Sequence, residues 1–465
     1  MANREKRLNM TKYSLEPVEV PKVKTKYRSI QTKLPVPQSL PIFKTLMASE
    51  PPSTMGQPPL VWHKAEGFQV SDRWGNTWID WSSGVLISNA GHGRKKIREA
   101  IQKLLHQPLL STYMFVHEKR AELTKALQAL SPDPSNYHVF LLTTGSEAIE
   151  NCIKLAKTYA LEKYGPQRKY IVSFKNAFHG RTLGAQLAGG MDKLKKWIVD
   201  EGKTFIQVPF PDGFKNEDTS FELFLKSIAD ERIKPDEIAG VITETYQGVG
   251  PDFLPYEYAQ KLEKFCQEHD IVMIFDEVQA GFGRTGKMFG YEHYGVTPDL
   301  IACGKGITSS LPLSAVIGRK DIMDIYAPGS MTSTHSGSPL SVVAALANLE
   351  IIERENLVEN AGCLGEILIP ELKRIKNKYP HILGCVQGKG LVAGIQVVKK
   401  GTREPNPGMA LKINEKCFHK GLLMFAPVGV GGECIKISPP LVIDEEALRE
   451  AISVLEEACD EVLGG

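Results

Sequence analysis

The sequence contains no apolar run approaching 18 residues, and its N-terminal stretch lacks the apolar segment of an export signal. We therefore expect neither a membrane span nor export. Neither sign of charge is in excess, because 56 Lys and Arg residues against 54 Asp and Glu residues leave a net charge of +2. This balance gives no reason to expect nucleic acid or an anionic membrane as a partner.

Cysteine is scarce, and the eight cysteines show neither CxxC pairs nor a metal-site spacing with histidine. Most of them lie within apolar runs, which favours buried free thiols in a reducing compartment and no bound metal. We therefore predict a cytoplasmic protein. The sequence also has no internal repeat and no low-complexity tract.

What the sequence does contain is an alternation of strand and helix patterns over 465 residues. Short β-rich runs alternate with amphipathic helical segments, and the clearest runs are YIVSF (170–174), IAGVITE (238–244) and IVMIFDEV (271–278). This alternation predicts βαβ units and a mostly parallel sheet with helices on both faces. The predicted fold class is therefore α/β.

The two ends of the chain have a different texture. The first 40 or so residues are basic and rich in proline, which predicts an extended arm, either disordered or laid over another surface such as a second subunit. Alternating residues at 67–87, with a turn at 74–76, predict a hairpin. We predict three segments: an N-terminal arm and small-domain segment (1–83), a large domain (84–345) and a small α+β domain (346–465).

One candidate ligand site lies where the apolar strand VFLL runs into Thr144, Gly145 and Ser146 and then directly into a helix. A helix N-terminus with glycine and hydroxyl groups offers free backbone N–H groups, which suit a phosphate. The same residues also fit an ordinary helix cap. The spacing is that of neither a P-loop nor a GxGxxG motif.

Two ionisable residues stand in apolar surroundings. Asp276 follows a buried strand, at the edge of an α/β sheet where ligands bind. Lys305 lies between two glycines in IACGKGITSSLPLSAV, and is either a solvated turn residue or an amine kept partly unprotonated for imine formation. A phosphate cradle, a buried aspartate and such a lysine together indicate a pyridoxal phosphate site.

From about residue 60 to 460, the chain resembles the class III aminotransferases of the fold-type I pyridoxal phosphate enzymes. The matching stretches are IDWSSGVLISNAGHG (79–93), TTGSEAIENCIKLA (143–156), AFHGRT (177–182), ETYQGVG (244–250), IFDEVQAGFGRTG (274–286), ACGKGI (302–307), THSGSPLSVVAALA (334–347) and CIKISPPL (434–441). The resemblance implies a large domain built on a mostly parallel seven-stranded sheet, a smaller α+β domain, and pyridoxal 5'-phosphate as cofactor.

The resemblance also implies roles for individual residues. Lys305 corresponds to the lysine that binds the cofactor, and Asp276 to the partner of its ring nitrogen; both are predicted to be catalytic. The other implied cofactor contacts are Gly145 and Ser146 at the phosphate, Phe178 and Val278 on the two ring faces, Gln279 at the phenolic oxygen, and His179 and Glu244 beside them. Thr334 corresponds to a threonine that reaches the neighbouring subunit's phosphate, which implies a homodimer or a dimer-based tetramer.

The implied substrate residues are Val85, Arg181, Val249 and Lys436. Arg181 corresponds to an arginine that binds the distal carboxylate of ω-amino acids, and a sulfonate is a plausible substitute. Family members that use 4-aminobutyrate or ornithine have a glutamate at the position of Val249, which masks an arginine at the position of Lys436. Both partners of this switch are changed here, which indicates either an ungated pocket with two standing cations or a neutral change.

We therefore predict transfer of the amino group of a short ω-amino acid or aminosulfonate (4-aminobutyrate, β-alanine or taurine type) to 2-oxoglutarate or pyruvate. An amino-acid racemase on the same scaffold is the first alternative, since fold does not settle the reaction. A non-enzymatic binding protein is a remote one, because Lys305 and Asp276 are both present.

Overall fold

The computed structural model describes residues 13–199 and 203–464, and the chain divides into two compact units. Among the described residues, the large unit comprises those within Ile87–Ala90 and Lys95–Cys363, and the small unit comprises those up to Leu86, within Gly91–Arg94 and from Leu364 onward. The predicted domain boundaries, after residues 83 and 345, stay predictions.

The strands of the described residues are numbered in chain order. They are β1 Val23–Lys24, β2 Ser29–Ile30, β3 Lys64–Glu66, β4 Gln69–Ser71, β5 Thr77–Asp80, β6 Tyr137–Leu142, β7 Tyr170–Phe174, β8 Phe205–Val208, β9 Ile238–Glu244, β10 Tyr246–Gln247, β11 Asp252–Phe253, β12 Val272–Asp276, β13 Leu300–Cys303, β14 Ser314–Arg319, β15 Leu383–Lys389, β16 Val392–Val397, β17 Leu422–Leu423 and β18 Cys434–Ile437.

The α-helices are numbered in the same way. They are α1 Leu40–Ser49, α2 Lys95–Leu105, α3 Glu118–Ala129, α4 Gly145–Tyr164, α5 Leu183–Ala188, α6 Asp192–Lys195, α7 Phe221–Asp230, α8 Tyr256–His269, α9 Lys320–Met323, α10 Pro339–Arg354, α11 Leu357–Lys378, α12 Pro407–His419 and α13 Glu445–Leu463. Short 3₁₀ turns lie at Pro37–Ser39, Pro52–Thr54, Pro235–Glu237, Gly290–Tyr294 and Lys305–Ile307. None of the helices within the described ranges is long and apolar enough to cross a bilayer.

The large unit is built on a seven-stranded sheet with the order β6-β14-β13-β12-β9-β7-β8. The pairs from β13 to β8 are parallel, and β14 runs antiparallel to both of its neighbours. Helix α4 contacts β9, β13 and β14 through residues such as Ile149, Cys152 and Ala156, which recur at helical spacing and are fully buried. The predicted α/β class with a mostly parallel seven-stranded sheet is confirmed.

The small unit contains two antiparallel arrangements. One sheet has the order β1-β2-β5-β4-β3, with β17 added in parallel to β5, and the other has the order β15-β16-β18. Strands β4 and β5 form the hairpin predicted around residues 74–76. The described part of the predicted arm, from residue 13, packs on this unit: Tyr27, Ile30 and Leu34 are buried. Residues 1–12 of that arm lie outside the described residues.

The eight cysteines are all free thiols, as the sequence predicts. Six of them are buried and Cys385 is partly buried. Burial is thus confirmed for most of the thiols, and Cys363 is the exception, exposed on α11.

Candidate active site

Two adjacent parallel strands of the large unit each end in a carboxylate. Asp276 is the last residue of β12 and Glu244 the last residue of β9, and the two are direct partners in the strand register. Both carboxylates lie at the same edge of the sheet, because the carboxyl ends of parallel strands meet there. Lys305 follows two residues after the neighbouring strand β13. Parallel topology thus brings together Glu244 and Lys305, which are 61 positions apart in sequence.

A cavity of ≈ 180 Å³ opens at this edge. Its lining contains nine of the residues predicted for the cofactor: Gly145, Ser146, Phe178, His179, Glu244, Asp276, Val278, Gln279 and Lys305. The lining also contains Thr144, which the sequence places at the same helix start, and three residues inside the quoted motifs that were assigned no role: Gly180, Tyr246 and Ala280. Their position next to or near assigned residues in the sequence could have indicated that they line the same cavity.

Asp276 and His179 form a buried pair. Asp276 Oδ2 lies 2.8 Å from His179 Nδ1, and Asp276 Oδ1 accepts a hydrogen bond of 3.0 Å from the Val278 amide. Burial alone would lower the pKa of His179, but the hydrogen bond and charge of Asp276, with the charge of Glu244, raise it above its ordinary value. The raised pKa favours the protonated form of the His179 imidazole.

The remaining nitrogen of this histidine is unusual. His179 Nε2 is buried and has no hydrogen-bond partner among the described residues. Buried polar atoms are normally paired, so an unpaired one marks a place where a missing group completes the network. This orphan atom is one observation that favours a bound cofactor in the cavity.

Glu244 and Lys305 have opposite pKa shifts with one cause. Burial raises the pKa of Glu244 to about 7, against the opposing charge of His179. The Glu244 carboxylate accepts hydrogen bonds from the Phe178 amide (3.0 Å) and the Gly248 amide (2.8 Å). Burial lowers the pKa of Lys305, and the charges of Asp276 and Glu244 oppose this shift. The amine is thus easier to deprotonate than an exposed lysine.

The opposite wall of the cavity is the start of α4. Thr144 caps the helix, since its hydroxyl accepts from the Glu147 amide at 3.3 Å, and the Glu147 carboxylate accepts from the Thr144 amide at 3.0 Å. This capping box leaves the amides of Gly145 and Ser146 at the positive end of a 20-residue helix. This helix end therefore carries an ordinary cap and still presents amides of the kind that suit an anion.

Glycine is needed on both sides of Val278. A Cβ at Gly145 would lie 2.8 Å from Val278 Cγ1, and one at Gly304 would lie 3.1 Å from the same atom. Lys305 itself has a left-handed backbone, with φ of 39°. The two glycines let the backbone close around Val278 and hold that side chain in the cavity wall.

The residues present fit pyridoxal phosphate. The cavity offers two carboxylates to a cationic ring nitrogen, helix amides to a phosphate, and an amine of lowered pKa to a carbonyl carbon. Phe178 and Val278 supply apolar surfaces in the same lining. The donor set thus matches each end of the cofactor.

Five predicted site residues are not part of this lining. In the large unit, Arg181 and Thr334 are exposed, and Val249 is half-buried beside a cis peptide bond between Gly250 and Pro251. Arg181 Cζ lies 5.6 Å from the centre of the Phe178 ring, and its amide donates to Ser146 Oγ at 3.4 Å. In the small unit, Val85 is 43% exposed and Lys436 is only 1% exposed, on β18.

Comparison with known proteins identifies the family. The family model described as aminotransferase class-III matches residues 52–459. A relative named alanine/serine racemase, from Pyrococcus horikoshii, is 34% identical over 423 residues, which cover 88% of this chain and 87% of that protein. A relative named probable 4-aminobutyrate aminotransferase, from Bacillus subtilis, is 33% identical over 410 residues, which cover 84% of this chain and 91% of that protein.

The solved structures agree. The crystal structure of a Bacillus anthracis aminotransferase matches with a TM-score of 0.80 at 32% sequence identity, covering 89% of this chain and 94% of that chain. Residues 52–459, which the family model matches, include the strand ends and the lysine turn described above. The chain therefore belongs to the class III aminotransferases, which are enzymes with pyridoxal 5'-phosphate as their cofactor.

Proposed function

We propose that this enzyme moves the amino group of a short ω-amino acid or aminosulfonate, of the 4-aminobutyrate, β-alanine or taurine type, to 2-oxoglutarate or pyruvate. The observation that carries the chemistry is the single cavity shared by Lys305, Asp276 and the N-terminus of α4. We further propose a cytoplasmic location, since eight free thiols suit a reducing compartment.

Lys305 is the proposed general base. Its Nζ removes the proton from the donor carbon that bears the amine. It would then return a proton to the carbon on the other side of the amine nitrogen. The lowered pKa of Lys305 suits this role, because a base works best when its pKa is near the working pH.

Asp276 is the proposed partner of the cofactor's ring nitrogen. When bound, pyridoxal phosphate supplies a cationic aromatic ring that accepts the electron pair left on the donor carbon. Asp276 keeps that ring nitrogen protonated, and His179 holds the carboxylate in place through its 2.8 Å contact. We assign His179 a positioning role because it acts through Asp276.

The remaining cofactor contacts divide by chemistry. We propose that Gly145 and Ser146 bind the phosphate, while Phe178 and Val278 cover the two ring faces. Gln279 is assigned to the phenolic oxygen, and Glu244 supports the loop of Phe178 through that residue's amide.

We propose a homodimer in which Thr334 contacts the partner's phosphate. Exposed apolar side chains support a second copy: Phe115 is 78% exposed and Val116 is 89% exposed. Apolar surface of this kind is typical of protein interfaces. A Lys305→Ala chain mixed with a Thr334→Ala chain tests this proposal, because subunit exchange then pairs an intact lysine in one subunit with an intact threonine in the other. No recovered activity in the mixed sample, with both variants dimeric, contradicts it.

The proposed anion sites are Arg181 and Lys436. Arg181 is exposed beside the ring of Phe178, which we assign to one face of the cofactor. We therefore propose that the distal anion of a bound donor reaches the Arg181 guanidinium. Val249 places no acid at the position where the family resemblance implies a glutamate. Lys436, which is 1% exposed on β18, stays a proposed second anion site, and without a glutamate at residue 249 we propose that the enzyme handles donor and acceptor without a charge gate.

A panel of donors tests the proposal. 4-Aminobutyrate, β-alanine, taurine and a diamine are each paired with 2-oxoglutarate and with pyruvate, and the oxo product is measured. We expect turnover with at least one ω-donor, and a loss of that turnover in Arg181→Ala. Turnover confined to α-amino acids refutes the ω-amino assignment.

A racemase is the second candidate, because the Pyrococcus horikoshii relative named as a racemase is as similar as the relative named as an aminotransferase. A racemase needs no oxo acid, since the proton returns to the carbon it left. Interconversion of α-amino acid enantiomers without added acceptor, and without oxo product, favours this candidate.

A further inference from the structure

The turn that carries Lys305 has a strained backbone. Lys305 has a φ of 39° and Ser309, four residues later, has a φ of 53°, both in the left-handed region that L-residues enter at a cost. The Ile307 amide donates to the Gly304 carbonyl at 3.0 Å and closes the turn. A conformation of this kind persists only where the surroundings impose it. The residues packed against the turn therefore decide where the lysine side chain starts.

One buried amide holds the turn through two carbonyls. Asn348 lies on α10, is fully buried, and does not line the cavity. Its Nδ2 donates to the Gly306 carbonyl at 2.9 Å and to the Ile307 carbonyl at 3.1 Å. Both protons of the Asn348 amide are thus used on two successive peptide groups directly after Lys305, which fixes the orientation of those groups relative to α10.

The oxygen of the same amide has no comparable bond. Asn348 Oδ1 is buried and accepts no hydrogen bond within the described ranges. A buried polar atom without a partner destabilises a fold, and an apolar side chain of similar shape avoids that cost. The two bonds to the carbonyls of the turn are therefore what this asparagine contributes in compensation.

Residues 89 and 90, which belong to the same unit, limit the movement of the turn further. A Cβ at Gly306 would lie 2.5 Å from Asn89 Nδ2, so only glycine lets the turn come this close. This nitrogen is itself held, because it donates to the carbonyls of residues 281–282 at 3.1 Å and 3.0 Å. The Ala90 amide donates to Ser309 Oγ at 2.9 Å. These contacts, together with those of α10, leave the turn little room to shift.

The position of the turn matters because Lys305 acts at more than one atom. In the proposed function its Nζ binds the cofactor and then removes a proton from the donor carbon, carried by a flexible four-carbon side chain. A misplacement of about 1 Å in a reacting group costs about 100-fold in rate. We propose that Asn348 is a positioning residue, which fixes the Lys305 turn on α10 so that Nζ meets the donor carbon in the reactive geometry. The inference rests on the proposed role of Lys305 as the base.

Asn348→Leu tests the proposal, with Asn414→Leu as the matched control. Asn414 is also a buried asparagine on a helix, α12, and its Nδ2 also donates to a backbone carbonyl, that of Phe425, at 3.0 Å. Leucine has a similar shape and removes the donors in both variants. The two variants therefore match in the loss of a buried donor and differ in whether the Lys305 turn loses its support.

The first readout needs no bound cofactor. Acetic anhydride acylates only an unprotonated amine, so labelling of Lys305 in the cofactor-free protein, followed against pH by peptide mass spectrometry, gives the pKa of that amine. Burial lowers the pKa of Lys305, and a turn released from Asn348 exposes the amine to solvent. We expect the pKa of Lys305 to rise by about one pH unit or more in Asn348→Leu and to match wild type in Asn414→Leu. An unchanged pKa in Asn348→Leu, or an equal rise in both variants, overturns the proposal.

The second readout separates turnover from binding in enzyme loaded with pyridoxal phosphate. With a donor that the panel above shows to be used, we expect kcat of Asn348→Leu to fall at least tenfold while KM changes less than threefold, because the turn does not hold the donor's anion. Asn414→Leu is expected to keep both values. A higher KM with an unchanged kcat in Asn348→Leu contradicts a positioning role.

Asn348→Asp replaces the leucine variant if that variant does not fold, because it keeps the shape of the side chain. Burial raises the pKa of the introduced carboxyl, whose protonated form donates one hydrogen bond to the turn and whose ionised form donates none. The ratio of its kcat to that of wild type is therefore expected to fall as the pH rises. A ratio that stays constant over the pH range in which the variant is folded contradicts the proposal.

Lys305→Ala tests the proposed function separately. If that variant keeps wild-type turnover, the role of Lys305 as the base fails. The labelling of cofactor-free Asn348→Leu still decides whether Asn348 holds the turn.

Discussion

Asp276→Asn removes one negative charge from the site and almost no volume. In the wild type, Asp276 Oδ1 accepts from the Val278 amide at 3.0 Å. The amide oxygen of asparagine accepts this same hydrogen bond. Its nitrogen takes the place of Oδ2 and donates to His179 Nδ1, which requires a neutral imidazole. We therefore expect the variant to fold, with the pKa of His179 lowered because burial then acts without the carboxylate.

The expected loss of rate in Asp276→Asn follows from the burial of Asp276, which is only 6% exposed. Removing one partner of a buried ion pair costs about 3–5 kcal/mol. If that pair is Asp276 and the cofactor's ring nitrogen, the loss falls on the step in which the ring accepts electrons. At about 1.4 kcal/mol per factor of ten, the rate of proton removal falls by about 140-fold to about 3,700-fold.

The assay is a pair of half-reactions followed by stopped flow after reconstitution with pyridoxal phosphate, alongside a titration of cofactor binding. The control is Asp299→Asn, a partly buried carboxylate directly before β13, whose Oδ1 lies 2.6 Å from Arg319 Nη1 and whose Oδ2 accepts from the Met273 amide at 2.7 Å. We expect the control to lower the free energy of unfolding and to leave the half-reactions intact. A rate for Asp276→Asn within tenfold of wild type refutes the role assigned to this carboxylate.

Three further predictions concern the walls of the cavity and its surroundings. Thr144→Ala removes the cap of α4 and is expected to lower the free energy of unfolding by about 1 kcal/mol, measured by chemical denaturation; Thr144→Ser is expected to restore it. Gly180→Ala places a Cβ 2.3 Å from Ser146 Oγ and is expected to weaken cofactor binding at least tenfold, whereas an unchanged dissociation constant speaks against Ser146 as a phosphate ligand. Burial raises the pKa of Glu277 to about 7 from 4.5. Between pH 4.5 and pH 7 the folded protein therefore keeps a proton on Glu277 that the unfolded chain releases. The unfolding free energy of wild type relative to Glu277→Gln is therefore expected to fall by about 3 kcal/mol from pH 4.5 to pH 7, and a rise over that window contradicts the assignment.

The strands and the lysine turn could be predicted because local pattern decides them. The runs at 170–174 and 238–244 are strands over those same residues, since continuous apolar runs between helical segments have no other stable place than a covered sheet. Asp276 could be placed at a strand end for the same reason. The matching motifs then indicated the family, which residues 52–459 bear out.

Other properties of the site depend on contacts between distant segments. The 2.8 Å contact of His179 with Asp276 joins residues 97 positions apart, and the orphan Nε2 follows from that packing. Likewise, nothing local in the arm around Tyr27 and Ile30 predicted that it would pack on its own chain, because a short basic segment finds its surface only after that surface exists.

The turn at Ser83–Leu86, where φ is left-handed at all four residues, shows most clearly what a sequence pattern does not predict. Local propensity opposes this conformation at Val85, so no sequence pattern predicts it. Asp80 and Ser438 impose it through hydrogen bonds from two segments that lie more than 350 residues apart. Sequence patterns report what each segment prefers, whereas strain of this kind is stable only once the tertiary structure has brought the opposing bonds together.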